Sequence, residues 1–310
     1  MLQESDIIPY HLSHPPGERA IVLAPHPDDE TLGCGGTISL LLKSKRAVKV
    51  IFLTSGDKAG PSNKLSQIVQ IENPPYASLL NENPGIPPLL KGGEGGLLNK
   101  SHVITEYALL REKEAVRALK VLGVTDYEFL RFPDRELDAY YKDALESLLE
   151  IVRTYMPDTI YGPSMIELNP DHRTTAALSL EIQRIVMNTD INTLIHDAPP
   201  PLHPLPDGWQ AGPQGGMVRV RMMPISLMFY EVTTPLRPNM LVDITSAYGR
   251  KKRAISKYTS QLKLIDYLRH ITALNTIRSL TVNVTGYVEA FWCVDKPLSG
   301  EDIAKWLSYF

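Results

Sequence analysis

Along the first half of the chain, short apolar runs alternate with longer stretches in which apolar positions recur at helical spacing. Ala20-Ile21-Val22-Leu23 has no polar alternation and predicts a strand buried on both faces. Thr37 to Leu42 is apolar with a basic end at Lys43, Lys45 and Arg46, which predicts a helix. Val48 to Thr54 predicts a second strand. From Glu106, residues Ala108, Leu109, Ala115, Val116, Leu119 and Leu122 fall on one helical face, and Gly123 is a suitable C-terminal stop. A third strand at Tyr127–Phe132 follows, then a helix around Asp143–Tyr155 stopped near Pro157, a short strand at Thr159–Tyr161 and a helix over Thr174–Val186. Later come an apolar run from Ile225 to Glu231, a basic helix over roughly Ala247–Leu262 and a strand at Tyr287–Trp292.

Strands separated by helices predict an α/β fold: a Rossmann-like, open, mostly parallel sheet flanked by helices. Two stretches break the pattern. Residues 59–100 are rich in Pro, Gly and Asn and read as a flexible, low-complexity insertion. A second Pro/Gly-rich loop covers 197–217. Neither separates two self-sufficient patterns, and there is no internal repeat, so the 310 residues read as a single domain.

Composition narrows the setting. Hydrophobic residues are 43% and charged residues 22% of the chain, as in a globular protein, and a net charge of −3 offers no basic footprint for nucleic acid. Two cysteines, Cys34 and Cys293, are too few for a disulfide framework, which fits a reducing compartment. Both read as packing residues. The opening Met1–Asp6 lacks the order of a secretory signal, and no apolar run has the length of a membrane span. The expectation is a cytoplasmic protein with a small-molecule substrate, no integral membrane segment, and a surface compatible with a homo-oligomer.

The candidate chemistry lies where strands end. Ala24-Pro25-His26-Pro27-Asp28-Asp29-Glu30 follows the first strand and leads into a glycine-rich start of helix. Carboxyl ends of strands in an open parallel sheet are where ligands bind. His26 and Asp29, three apart, can reach one metal ion from a single turn, and Asp28 between them points differently, free to handle a proton. The plainer alternative is that acidic residues favour a helix start through its dipole, with His26 a packing or capping residue. The glycines Gly33, Gly35 and Gly36 read as sites of close helix-to-sheet packing, since they lack a dinucleotide-binding pattern. A second motif, Asn169-Pro170-Asp171-His172, is also post-strand and pre-helix. The parallel sheet brings both loops to one edge, so His172 can join His26 and Asp29. Two His and one carboxylate leave a coordination position open, as in catalytic zinc sites, although the same set suits non-haem iron. Zinc there acidifies water and polarises a carbonyl, with Asp28 as proton acceptor.

With Gly33 to Gly36 after the first motif and the distant Asp171-His172, the sequence resembles the PIG-L/LmbE-like zinc deacetylases. These enzymes remove acetyl from N-acetylglucosaminyl-phosphatidylinositol, from glucosaminyl precursors of mycothiol and bacillithiol, and from diacetylchitobiose. The resemblance covers Ile21 to about His172 apart from the insertion, and more weakly the tail. It implies an LmbE-like fold, one Zn2+ held by His26, Asp29 and His172, and Asp28 as general base. Arg111 matches an Arg of the family and is implied to contact substrate, with a place on a solvated helix face as its rival. Asp171 either orients a neighbour or caps a helix. The family's well-studied members carry a His where this chain has Asn169, which can donate to an oxyanion but cannot supply a proton. His102, His196, His203 and His270 are candidates for that role by residue type alone. The expected reaction is removal of acetyl from an N-acetylglucosamine-type conjugate, giving acetate and a free amine. The alternatives are a zinc amidase acting on another amide or a thiol conjugate, and a metal- or sugar-binding member without turnover.

Overall fold

The computed structural model describes residues 11–59, 68–70, 103–188, 224–280, 282 and 284–307. In chain order these form β1 (His11–Ser13), β2 (Arg19–Ala24), α1 (Asp29–Lys43), β3 (Ala47–Thr54), a 3-10 turn (Asp57–Ala59), β4 (Ile68–Gln70), β5 (Val103–Thr105), α2 (Glu106–Leu122), β6 (Asp126–Phe132), α3 (Tyr141–Tyr155), β7 (Thr159–Pro163), α4 (Pro170–Asn188), β8 (Ser226–Tyr230), β9 (Met240–Asp243), α5 (Thr245–Ile255), α6 (Thr259–Leu262), α7 (Tyr267–Leu280), β10 (Val288–Val294) and α8 (Gly300–Leu307). Eight strands make one sheet in the order β1-β9-β10-β8-β7-β2-β3-β6, and β4 pairs with β5 in a separate antiparallel ribbon. In the large sheet β10 alone runs against its neighbours, so the fold is the expected mostly parallel α/β sheet.

The sheet is covered on both faces, which is why β2 reads as an unbroken apolar run. Ala20, Val22 and Ala24 of β2 and Val50 and Phe52 of β3 pack under α1, α2, α5 and α7. Their alternates Ile21, Leu23, Ile51 and Leu53 pack under α3 and α4. From β2 the chain passes outward through β3 to β6, then returns to β7 on the other flank of β2. The reversal opens a crevice at the carboxyl end of β2, and a ligand site in such a sheet belongs there. Among the described residues no helix is long and apolar enough to cross a membrane.

Local chemistry sets the helix ends. Thr105 caps α2 by accepting from the Ala108 amide at 3.0 Å, and Gly123, left-handed at φ 94, ends it. Helix α1 carries a kink at Cys34 (φ −137, ψ 24). The amides of Gly36 and Thr37, just past the kink, each donate at 2.8 Å to the carboxylate of Glu289 on β10, which Lys251 of α5 neutralises at 2.7 Å. The glycines here serve close packing, as expected. A Cβ on Gly33 would lie 2.1 Å from Cδ2 of Tyr230, and one on Gly36 2.6 Å from Cβ of Ile244. The Tyr230 ring cannot step aside, because it is fully buried and its hydroxyl donates to the Leu23 carbonyl at 2.8 Å. Gly33→Ala is therefore expected to cost about 3 kcal/mol, at the upper end of ordinary overpacking. Urea unfolding monitored by circular dichroism reads this, and an unchanged midpoint would contradict the tight contact.

Three boundaries differ from expectation. The helix expected from Thr174 begins at Pro170, because Asn169 supplies a cap and a proline at the first helical position leaves no amide to satisfy. The basic helix expected over Ala247–Leu262 is two helices. The Glu114 carboxylate of α2 accepts from Thr259 Oγ1, Ser260 N and Ser260 Oγ and builds a new N-terminus for α6. Within the 59–100 stretch, Ile68–Gln70 is a strand paired with Val103–Thr105. The rest of that stretch from residue 60, the 197–217 loop, and His102, His196 and His203 lie outside the described residues.

Candidate metal centre

The crevice at the end of β2 gathers side chains from three strand-to-helix connections. His26 follows β2, and Asp29 opens α1 three residues later. Asp134 follows β6, while Asp171 and His172 come from the first turn of α4. All are buried. The Asp29 carboxylate oxygen Oδ2 lies 3.1 Å from His26 Nδ1 and 3.1 Å from His172 Nε2, and those two nitrogens are 3.3 Å apart. Three ligand atoms thus converge on one point. A tetrahedral zinc centre with bonds of about 2.0–2.1 Å spaces its ligands about 3.3 Å apart, so the set fits such an ion. A second group able to approach one ion is His26 with Asp134 and Asp171.

That second group is better read as support for the first. His26 Nε2 lies 3.1 Å from Asp171 Oδ2 and 3.3 Å from Asp134 Oδ1, so the two carboxylates select the tautomer with its proton on Nε2 and leave Nδ1 to a metal. Both carboxylates are themselves held by backbone amides. Asp134 accepts from Lys58 at 2.7 Å, and Asp171 from Arg135 at 2.7 Å and Leu137 at 3.2 Å. The electrostatics follow the crowding. Burial alone would lower the His26 imidazole, but hydrogen bonds to Asp134, Asp171 and Asp29 raise it well above its ordinary value. Burial alone would raise Asp29, yet His172 and then His26 pull it well below the usual carboxylate range. On the far side, His172 Nδ1 is buried without a hydrogen-bond partner among the described residues, 3.9 Å from Glu167 Oε2. Asp171→Asn is expected to weaken metal affinity about 10- to 100-fold, the usual effect of disturbing a residue that orients a ligand. Competition with a fluorescent chelator measures it, and unchanged affinity would remove Asp171 from that role.

Asp28 sits at the helix-start position but makes no capping bond; its backbone is at φ 144, ψ −27, outside the regions that L residues ordinarily occupy. Its carboxylate Oδ2 instead receives Arg111 Nη2 at 2.9 Å. Burial pushes Asp28 up to about 6, against the pull of the guanidinium. Arg111 is not on a solvated face: it is 3% exposed, and its other bonds go to the carbonyls of Gly56 (2.6 Å) and Pro27 (2.7 Å). Asn169 is half-buried and uses Oδ1 to accept from the Asp171 amide at 2.9 Å. It is Asn169, therefore, and not Asp171, that caps α4, while Asp171 orients His26. His270 is exposed on α7.

Three further carboxylates of this crevice stand at or beside the predicted strand ends, but the sequence alone assigns them no role. Asp134 follows a predicted strand, and that position was the signal that could have found it. Glu167 accepts from the amides of Val232 (2.7 Å), Thr233 (3.1 Å) and Thr234 (3.2 Å), a partnership across more than sixty residues that no local pattern announces. Glu30, fully buried, accepts from Thr31 Oγ1, from the Tyr258 hydroxyl and, at 3.2 Å, from the Asp28 amide.

A doubly covered, mostly parallel sheet with a buried His-Asp-His set and an acid beside it at the topological switch point defines an α/β protein with a candidate metal site. Residues 21–183 match the family model described as PIG-L, GlcNAc-PI de-N-acetylase, and the chain belongs to that family. It is 26% identical over 167 residues to a diacetylchitobiose deacetylase of Thermococcus kodakarensis, covering 53% of this chain and 48% of that protein. It is 28% identical over 150 residues to a putative glucosamine-6-phosphate deaminase-like protein of Bacteroides thetaiotaomicron, covering 45% of this chain and 23% of that one. The chain thus spans less than half the length of these curated relatives. In structure it is similar to the N,N'-diacetylchitobiose deacetylase of Pyrococcus horikoshii, with a TM-score of 0.61 at 21% identity over 94% of this chain and 90% of the other. It is also similar to a 4-carboxy-2-hydroxymuconate hydratase of Pseudomonas putida KT2440, with a TM-score of 0.55 at 20% identity over 91% and 98%. At such identities these likenesses show the shared fold.

Proposed function

We propose that this protein is a zinc-dependent N-deacetylase that hydrolyses the acetamide of an N-acetylglucosamine-type conjugate, releasing acetate and leaving a free amine. The observation that carries the reading is the convergence of His26 Nδ1, Asp29 Oδ2 and His172 Nε2 on one point, with the Asp28 carboxylate alongside. Family membership and the deacetylases among its relatives support the same chemistry. A zinc ion held by His26, Asp29 and His172 supplies Lewis acidity, acidifying water and polarising the acetyl carbonyl. Arg111 occupies Asp28 Oδ2 and leaves Oδ1 as the oxygen that accepts the proton of the attacking water. The water oxygen adds to the carbonyl carbon, the C–N bond breaks, and Asp28 returns the proton to the departing nitrogen. With Asn169 where a His would serve as acid, this two-way shuttle by Asp28 accounts for both proton transfers. A donor role for Asn169 toward the oxyanion falls to its Nδ2, since Oδ1 caps α4. Arg111 serves the substrate indirectly, by fixing Asp28. The free cysteines Cys34 and Cys293 support a reducing, cytoplasmic setting.

The test is acetate release from N-acetylglucosamine and a panel of its conjugates by metal-stripped protein before and after zinc is restored. Turnover that appears only with zinc supports the proposal. Bound zinc with no acetate from any conjugate points to a different amide, and protein that binds no metal refutes the reading.

A further inference from the structure

The strained backbone of Asp28 needs an anchor, since a residue held at φ 144 persists only where its surroundings over-determine it. Arg111 fixes one end of this residue through its carboxylate and the preceding Pro27 carbonyl. The amide end is fixed by Glu30, whose Oε2 accepts from Asp28 N at 3.2 Å. Glu30 is an unusual support: it is fully buried, it forms no ion pair with a cation among the described residues, and it keeps its orientation through the hydroxyls of Thr31 and Tyr258, both on Oε1. Thr31 is its chain neighbour and moves with it. Tyr258 is not: it is 2% exposed in the turn between α5 and α6, in a part of the chain beyond the residues that match the family model. The next residues, Thr259 and Ser260 at the start of α6, are clamped by the Glu114 carboxylate of α2, so the hydroxyl reaches Glu30 from a fixed base.

We infer that Tyr258 is a positioning residue for Asp28: its hydroxyl orients the Glu30 carboxylate, which holds the Asp28 amide and thereby sets the angle at which the Asp28 carboxylate faces the crevice. The inference rests on the deacetylase reading for its kinetic consequence but not for its structural one. Removing the hydroxyl lets Glu30 rotate, releases the amide and allows Asp28 to relax toward an ordinary backbone setting. The metal ligands His26, Asp29 and His172 keep their own mutual contacts.

The experiment compares the full chain with Tyr258→Phe, Glu30→Gln and the double variant. Expected for Tyr258→Phe are a fall in kcat of about 10-fold with KM within about two-fold, the scale of a misplaced catalytic group, and an unchanged zinc content. Hydrogen exchange at the Asp28 amide should accelerate about ten-fold or more, while β8 stays as protected as in the wild type. Because Tyr258 acts through Glu30, the double variant should be no slower than Glu30→Gln, whereas independent contributions to packing would add. Additive kcat losses, or Asp28 exchange unchanged in Tyr258→Phe, would overturn the inference. If the wild type releases no acetate, the deacetylase reading fails while the exchange data still decide whether Tyr258 holds Asp28. If Tyr258→Phe does not fold, exchange at the Asp28 amide in Glu30→Gln decides it in the same way.

Discussion

Asp28→Ala is expected to lower kcat about a thousand-fold while leaving one zinc per chain in place. The size follows from the role: a positioned general base contributes about 10²–10⁴, and among the described residues no other carboxylate of the crevice is placed to substitute, Glu167 being held by the amides of Val232, Thr233 and Thr234. Asp29 is engaged by both histidines, Asp134 and Asp171 by His26 Nε2 and by backbone amides, and Glu30 by two hydroxyls and the Asp28 amide. Retention of metal follows from the geometry as well, since the Asp28 carboxylate pairs with Arg111 and not with a histidine. Initial-rate acetate assays together with metal analysis of the same preparation test both halves. Activity within ten-fold of the wild type would remove Asp28 from the chemistry, and loss of zinc would make it a ligand.

His172→Ala is expected to abolish zinc binding at concentrations that saturate the wild type, a larger loss than the about 100-fold that follows from disturbing a supporting residue. His26 and Asp29 come from one turn and close only one side of the site. His172 brings the opposing nitrogen from α4, 3.1 Å from Asp29 Oδ2. The consequence is also visible in stability. Zinc at about 100 times its Kd should stabilise the wild type by about 2.7 kcal/mol, a shift that thermal unfolding reads directly, and the same zinc should leave the melting of His172→Ala unmoved. Equal stabilisation of both proteins would mean that the ion binds elsewhere.

The alternation of the main strands and helices from β2 to α4 was readable because their apolar runs and helical spacing are strong. Gly123 ends α2, and Gly33 and Gly36 mark close approaches, for reasons a sequence exposes: a left-handed turn or a missing Cβ has few substitutes. The elements that escaped are short or locally ambiguous. β1 and β9 are strands of three and four residues defined by long-range pairing, β1 with β9 and β9 also with β10. The division of α5 from α6 depends on Glu114, more than a hundred residues earlier. The same distinction runs through the site. The meeting of His26, Asp29 and His172, with Asp28 alongside, was legible because these residues stand in two motifs after predicted strands.

What the sequence by itself determined is the class of fold and which residues of two motifs could meet at the carboxyl end of the sheet, since both are written in local spacing. What only the tertiary structure decided is the partnership of each of those residues. It set Arg111 against Asp28, gave the helix cap to Asn169 and His26 to Asp171, and joined Glu30 to Tyr258 across the chain. The physical reason is that hydrogen bonds between buried polar groups are selected by distance in the folded core, where an unpaired group is costly, and sequence separation carries no record of that distance.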